Sequence, residues 1–72
     1  VKLIPKVRSL SQLRQLASTD DRYRRLALVA AANLGGTPTE DLNRAMSWLY
    51  TNANETTESG VVAEVNFVRD CI

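Results

Sequence analysis

The apolar positions of this chain recur mostly at helical spacing. Leu10, Leu13 and Leu16 fall every three residues, and Tyr23, Leu26, Ala27, Ala30, Ala31 and Leu34 fall at i, i+3, i+4, i+7, i+8 and i+11. Both patterns put apolar side chains on one face of a helix. Leu28, Val29 and Ala32 widen the second stripe, which predicts a central helix whose alanines let neighbours approach closely. Leu42, Ala45, Met46, Leu49 and Ala53 make a third stripe, flanked by Trp48 and Tyr50. The polar residues between the stripes supply the stops and starts. Ser9, with Gln12 three residues on, has the spacing of a capping box. Thr19 is the expected cap of the second helix, with Asp20 and Asp21 in its first turn, where carboxylates favour the positive end of the helix dipole. Gly35 and Gly36 end that helix, one of them in the left-handed position that glycine tolerates. Thr37-Pro38-Thr39-Glu40 predicts the next start, with Thr37 as cap, Pro38 as first helical residue and Glu40 as partner in the box.

Two segments lie outside this pattern. In residues 1–8, Pro5 pushes Ile4 toward an extended conformation, so the basic N-terminus is predicted as an extended arm or a short edge strand. Residues 61–72 fit two periods. Val61, Val65, Val68 and Ile72 suit a helix, while Val61, Ala63, Val65 and Phe67 suit a strand. The length and the polar cluster of Glu64, Arg69 and Asp70 favour the helix, although the β-branched content favours the strand. The expected fold is therefore all-α: a compact bundle of about four short helices, roughly 9–17, 20–34, 38–53 and 58–71, with an extended basic arm in front. Were the last segment a strand, it would pair with the arm in a small α+β domain. The polar stretch 52–60 is predicted to be a loop, and its Asn54-Glu55-Thr56 matches the glycosylation sequon only as a common tripeptide.

Size sharpens this picture. Seventy-two residues make one domain, so the chain is taken as a single helical domain. A chain this short buries only about 60% of its unfolded surface. Cys71 is the lone cysteine and histidine is absent, which removes an internal disulfide and any Cys/His zinc site. Stability has to come from packed apolar faces or from a partner. The chain opens with Val1, so the expectation is a piece cut or processed from a longer protein. No apolar run approaches the roughly 18 residues of a membrane span, and the expected setting is soluble and intracellular.

Charge adds the main functional clue. The net charge of +1 conceals an asymmetry. Residues 1–36 carry seven cations against Asp20 and Asp21, a net +5, while residues 37–72 carry Arg44 and Arg69 against six carboxylates, a net −4. The plainest reading is two oppositely charged halves folded onto each other. The alternative is a surface for an anionic partner. Arg22, Arg24 and Arg25 form its expected centre, with Lys2, Lys6, Arg8 and Arg14 as its flank and Tyr23 among them to stack on a base.

Little else points to chemistry. The commonest catalytic acid–base group is missing with histidine. Asp20-Asp21 and Glu40-Asp41 are adjacent pairs at predicted helix starts, where capping explains them. Cys71 is expected as a small core hydrophobe. No enzyme activity, cofactor, metal or small-molecule substrate is expected. The function expected first is a non-catalytic binding module whose basic half engages nucleic acid or another anionic partner. A protein–protein or self-assembly domain of a structural protein, such as a viral one, is the alternative, motivated by charge polarity and by Trp48, Tyr50 and Phe67, which overfill so small a core. A homo-oligomer belongs to that alternative, and a membrane surface is the weakest of the expected partners. Residues 31–46 also resemble a helix-turn-helix, with small residues, a glycine turn and a capped second helix. The resemblance implies DNA binding through residues 26–50, with Asn43, Arg44 and Ser47 reading bases. It departs from the motif in a longer turn and in opening the second helix with Glu40 and Asp41.

Overall fold

The computed structural model describes residues 4–55 and 57–72, with Glu55 described by its backbone alone. Four helices follow in order: α1 (Leu10–Thr19), α2 (Asp21–Asn33), α3 (Leu42–Glu55) and α4 (Glu58–Cys71). There is no strand among the described residues. α2 packs against each of the other three helices, as its alanine-rich face allows. Ala27, Ala30 and Ala31 are buried there beside Leu26 and Tyr23. The radius of gyration of 10.8 Å is close to the ~11 Å expected for a folded chain of this length, so the four helices pack as one body.

α4 resolves the two-period ambiguity. Val61, Val62, Val65 and Val68 are buried, a helical set, whereas Ala63 and Phe67 of the alternate set are exposed. Thr57 caps this helix, its Oγ1 accepting from the Gly60 N–H at 3.3 Å. Packing of the valine stripe overrides the strand preference of the valines.

Two predicted helix starts move. α1 begins as expected, with Ser9 Oγ accepting from the Gln12 N–H at 3.1 Å. It runs on to Thr19, and the cap of α2 is Asp20 in place of Thr19. Asp20 serves both helices: its N–H donates to Leu16 O at 2.8 Å, and its Oδ1 accepts from the Arg22 N–H at 2.9 Å. One extended residue therefore makes the whole corner. The carboxylate out-competes the Thr19 hydroxyl, which instead donates to Leu16 O.

The second shift is larger. α3 starts at Leu42, four residues after Pro38, and Thr37 caps nothing. Asp41 takes that role, its Oδ1 accepting from the Asn43 N–H at 2.9 Å and the Arg44 N–H at 3.4 Å. The cause lies upstream. Gly35, at φ +106°, and Gly36 close α2 with the Gly36 N–H to Ala31 O and the Gly35 N–H to Ala32 O, the paired bonds of a Schellman end. That closure lays Gly36 against Trp48: a Cβ on Gly36 would stand 2.8 Å from Ala31 O and 3.1 Å from the indole. Residues 36–39 then run without regular structure as a strap beside Ala31, Ala45 and Trp48, and the helix waits until Asp41. The eight residues 34–41 make a connection about twice the 3–4 residues of a tight helix-turn-helix, so the resemblance of residues 31–46 to that motif stops at the sequence.

The N-terminal arm is extended as expected, but it is docked. Val7 is buried in the core. Asn66 of α4 pairs with it as a neighbouring strand would, Nδ2 donating to Val7 O and Oδ1 accepting from the Val7 N–H, both at 2.9 Å. Arg69 Nη1 donates to Ile4 O at 2.6 Å, and the Tyr23 hydroxyl donates to Pro5 O at 3.1 Å. Glu58 Oε2 accepts from the Leu10 N–H at 3.1 Å, so α4 also satisfies the first turn of α1.

Candidate nucleic-acid interface

The eight residues predicted to meet an anion fare differently. Lys2 lies outside the described residues. Lys6 and Arg8 are exposed on either side of buried Val7, on the docked arm. Arg14 is exposed on α1, with Nη2 donating to Asn43 Oδ1 at 2.6 Å. Tyr23 takes its other expected place, in the core: it is 3% exposed and its hydroxyl is committed to Pro5, so its ring has no face to offer a base. Its position on the buried stripe of α2 dictates this, since Leu26 and Ala27 lie three and four residues on.

Arg22, Arg24 and Arg25 do gather on the outer side of α2. Arg22 and Arg25 edge one shallow depression with Asp21 and Ile72. Arg24 and Arg25 edge the next, with Asp21, Leu28 and Glu40. Their freedom differs. Arg22 makes a forked ion pair with Asp20, Nη2 to Oδ2 at 2.7 Å and Nε to Oδ1 at 3.1 Å. The guanidinium and the backbone N–H of Arg22 hold the Asp20 carboxyl below its ordinary pKa, and Asp20 in turn pushes Arg22 up. Arg24 Nη2 donates to the carbonyl of Glu40 at 2.8 Å, which leaves its charge uncompensated. Arg25 is exposed and makes no ion pair among the described residues.

The charge separation of the sequence survives folding. Among the described residues the ion pairs are Arg22–Asp20 and Arg69–Asp70, each between near neighbours in the chain. The two halves are joined by Arg14 to Asn43, Arg24 to the Glu40 carbonyl, Glu58 to the Leu10 N–H, Asn33 to Glu64, Asn66 to Val7 and Arg69 to the Ile4 carbonyl, none of which cancels a charge. The simple picture of opposite halves neutralising each other by ion pairing does not describe these contacts.

One feature was not singled out by the charge pattern. Beneath the strap lies a cleft of about 240 Å³, with Ala31 and Ala45 as floor, Trp48 as wall, Thr37 to Thr39 as rim and Arg44 at the mouth. Arg44 has no side-chain partner among the described residues, whereas Thr39 Oγ1 accepts from the Asp41 N–H. The sequence signal for this site was the aromatic at the margin of the α3 stripe, neither core nor polar face.

At the C-terminal end of the chain, Phe67 is 60% and Ile72 57% exposed, Ile72 beside Arg22 and Arg25, and the Cys71 thiol is exposed as well. The expected core place for Cys71 is corrected by the helical register: Val61, Val65 and Val68 set the buried line, and Cys71 lies one turn beyond exposed Phe67. Among the described residues no group of acidic or cysteine side chains is placed to hold a metal, and no helix is long and apolar enough to cross a membrane. The chain matches no family model, no curated protein and no solved structure, so its use has to be argued from its surfaces.

Proposed function

We propose that this chain is a non-catalytic binding module whose α2 surface, centred on Arg24 and Arg25, engages a polyanion, nucleic acid before any other. The observation that carries this is the absence, among the described residues, of any ion pair between the basic half and the acidic half. Exposed cations left uncompensated by their own fold attract phosphates and release the counterions condensed on them. Arg22 contributes less, because Asp20 already neutralises it. Tyr23 has no part in it.

The test is a fluorescence anisotropy titration with a labelled single strand and a labelled duplex over a range of salt. Affinity should fall with a log–log slope corresponding to about two to four neutralised phosphates. The Arg22→Ala/Arg24→Ala/Arg25→Ala variant should stay folded and lose most of the affinity. Unchanged binding in that folded variant, or no binding at low salt, would reject the reading.

A second reading rests on the exposure of Phe67 and Ile72 at the end of α4. Exposed large apolar side chains are candidates for a protein interface, and a self-associating module would use them. Sedimentation of a monomer independent of concentration would count against self-association.

A further inference from the structure

The depressions along α2 are not separate features. Asp21 and Arg25 edge both of the first two. Leu28, which lines the second, is one helical turn from Ala31, which floors the Trp48 cleft, and Glu40 of the second follows directly on Thr39 of the cleft's rim. They succeed one another along α2 as a track, edged by Ile72 at its first depression and by residues 37–40 at the other two. From Arg22 to Ala31 it runs nine residues of helix, about 14 Å at the α-helical rise. Its cations are Arg22, Arg24, Arg25 and, at the cleft, Arg44; its carboxylates are Asp21 and Glu40. One end is charged and open, and the other is an indole-walled cleft.

From this arrangement we infer that the Trp48 cleft receives a single unstacked base of a single-stranded nucleic acid whose phosphates lie along Arg24 and Arg25. The inference rests on the function proposed above and assigns it a strand type and an anchoring residue. Size supports one ring system. A cavity of about 150 Å³ lined by apolar side chains holds benzene, and general ligand sites run from about 300 Å³ upward, so 240 Å³ lies between the two. Chemistry supports a base. The small alanine floor admits a flat group beside the indole, the threonines of the rim carry hydroxyls for base edges, and unpartnered Arg44 meets the adjoining phosphate or stacks. A duplex has its bases paired and stacked and cannot present one here. Asp21 and Glu40 interrupt the cations, which keeps backbone attraction modest and gives the base contact a larger share of the affinity.

Trp48 is the only tryptophan, so its fluorescence reports on the cleft alone. The whole protein is titrated with a short oligothymidylate, an abasic phosphodiester strand of equal length and the matching duplex, following both strand anisotropy and Trp48 emission. The expected result is a change in Trp48 emission with oligothymidylate only, and binding of the abasic strand about ten- to a hundredfold weaker. Arg44→Ala, on an exposed position, should weaken oligothymidylate several-fold and leave abasic binding nearly unchanged; equal loss on both strands assigns Arg44 to phosphate and counts against its place beside the base. Trp48→Phe, which keeps a stacking ring, should retain most of the affinity that Trp48→Leu loses; should Trp48→Leu fail to fold, the abasic comparison decides alone. Equal binding of both strands with unchanged Trp48 emission overturns the inference and leaves the basic surface standing. Absence of binding to any strand overturns both. A response of Trp48 to indole-3-acetate but to no strand overturns the inference in favour of a small-acid site.

Discussion

The docked arm and the strap are the two longest non-helical stretches among the described residues, and they are held by opposite means. Residues 4–9 carry no conformation of their own beyond the restriction at Pro5. They are fixed by side chains that reach in from other elements: Asn66 on Val7, Arg69 on Ile4 and Tyr23 on Pro5. Residues 34–41 are fixed mostly by their own backbone. Gly35 turns left-handed, Gly36 fits where no Cβ can, Thr39 closes a turn and Asp41 begins the helix. A segment tied by remote donors fails when the donor is lost, while a segment shaped by its own backbone fails when a methyl is added. The difference matters to function, because the strap forms the rim of the Trp48 cleft and the arm does not touch it.

The largest effect should come from the arm. Asn66→Ala leaves both polar groups of Val7 without their partner. An unsatisfied, partly buried backbone group costs about 1–3 kcal/mol, so a loss of about 3 kcal/mol is expected in urea denaturation. In a chain this short that is a large share of the total stability. Affinity for oligothymidylate at a temperature where the variant is still folded should be near that of the unmodified protein. A loss below about 0.5 kcal/mol would mean that the Asn66 bridge does not hold the arm.

Gly36→Ala comes next. Its methyl would meet a backbone carbonyl at 2.8 Å and the indole at 3.1 Å. Neither can swing aside as a flexible side-chain end would, and overpacking of this kind costs about 1–3 kcal/mol. The comparison predicts a distinct signature: less stability than Asn66→Ala removes, but a changed Trp48 emission in the folded state, which Asn66→Ala should not show. An unaltered emission spectrum would separate the strap from the cleft.

A smaller effect tests where α3 begins. Asp41→Ala should lose about 1 kcal/mol as a helix cap, whereas Thr37→Ala should change stability by less than about 0.5 kcal/mol, the range of a neutral surface substitution. The reverse order would return the helix start to the position that Thr37-Pro38-Thr39-Glu40 predicts from local sequence.

That misplacement shows what the sequence can carry. The helices were legible because each buries a stripe at its own period, and the glycine stop of α2 was legible because left-handed backbone has few other occupants. The two moved caps were not. At each corner two good capping residues stand close together, Thr19 with Asp20 and Thr37 with Asp41, and the choice depends on where the preceding helix releases the chain. The arm's docking was invisible for a related reason: Asn66 and Arg69 look like surface polar residues until α4 is placed beside residues 4–7. Of the expected site, the α2 arginines stand where the helical period puts them, and Tyr23 left the site because its period is that of the core. Arg44 and Trp48 stand one turn apart on α3 by the helical period alone; what the sequence did not place was the strap, Thr37 to Thr39, beside them.

The smallest effect belongs to the α1–α2 corner, where cap and charge meet. Asp20→Asn keeps a good cap, since asparagine and aspartate cap nearly equally, but it removes the carboxylate that neutralises Arg22. Stability near neutral pH should fall only slightly. The affinity for a single strand should rise a few-fold at low salt, because a further cation is released toward the α2 track, and the gain should vanish at high salt. The same substitution gives a pH signature whose sign is fixed. The folded-state pKa of Asp20 is lowered by its bonds from Arg22, so its contribution to stability is present above the unfolded value near pH ~4 and is lost as pH falls through the lower folded value. The unmodified protein should therefore lose its advantage over Asp20→Asn below about pH 4, seen as melting curves that converge on acidification. Curves that stay parallel through that range, together with unchanged strand affinity, would mean that the Asp20–Arg22 fork does not hold Arg22 back, and Arg22 would then rank equal to Arg25 in the track.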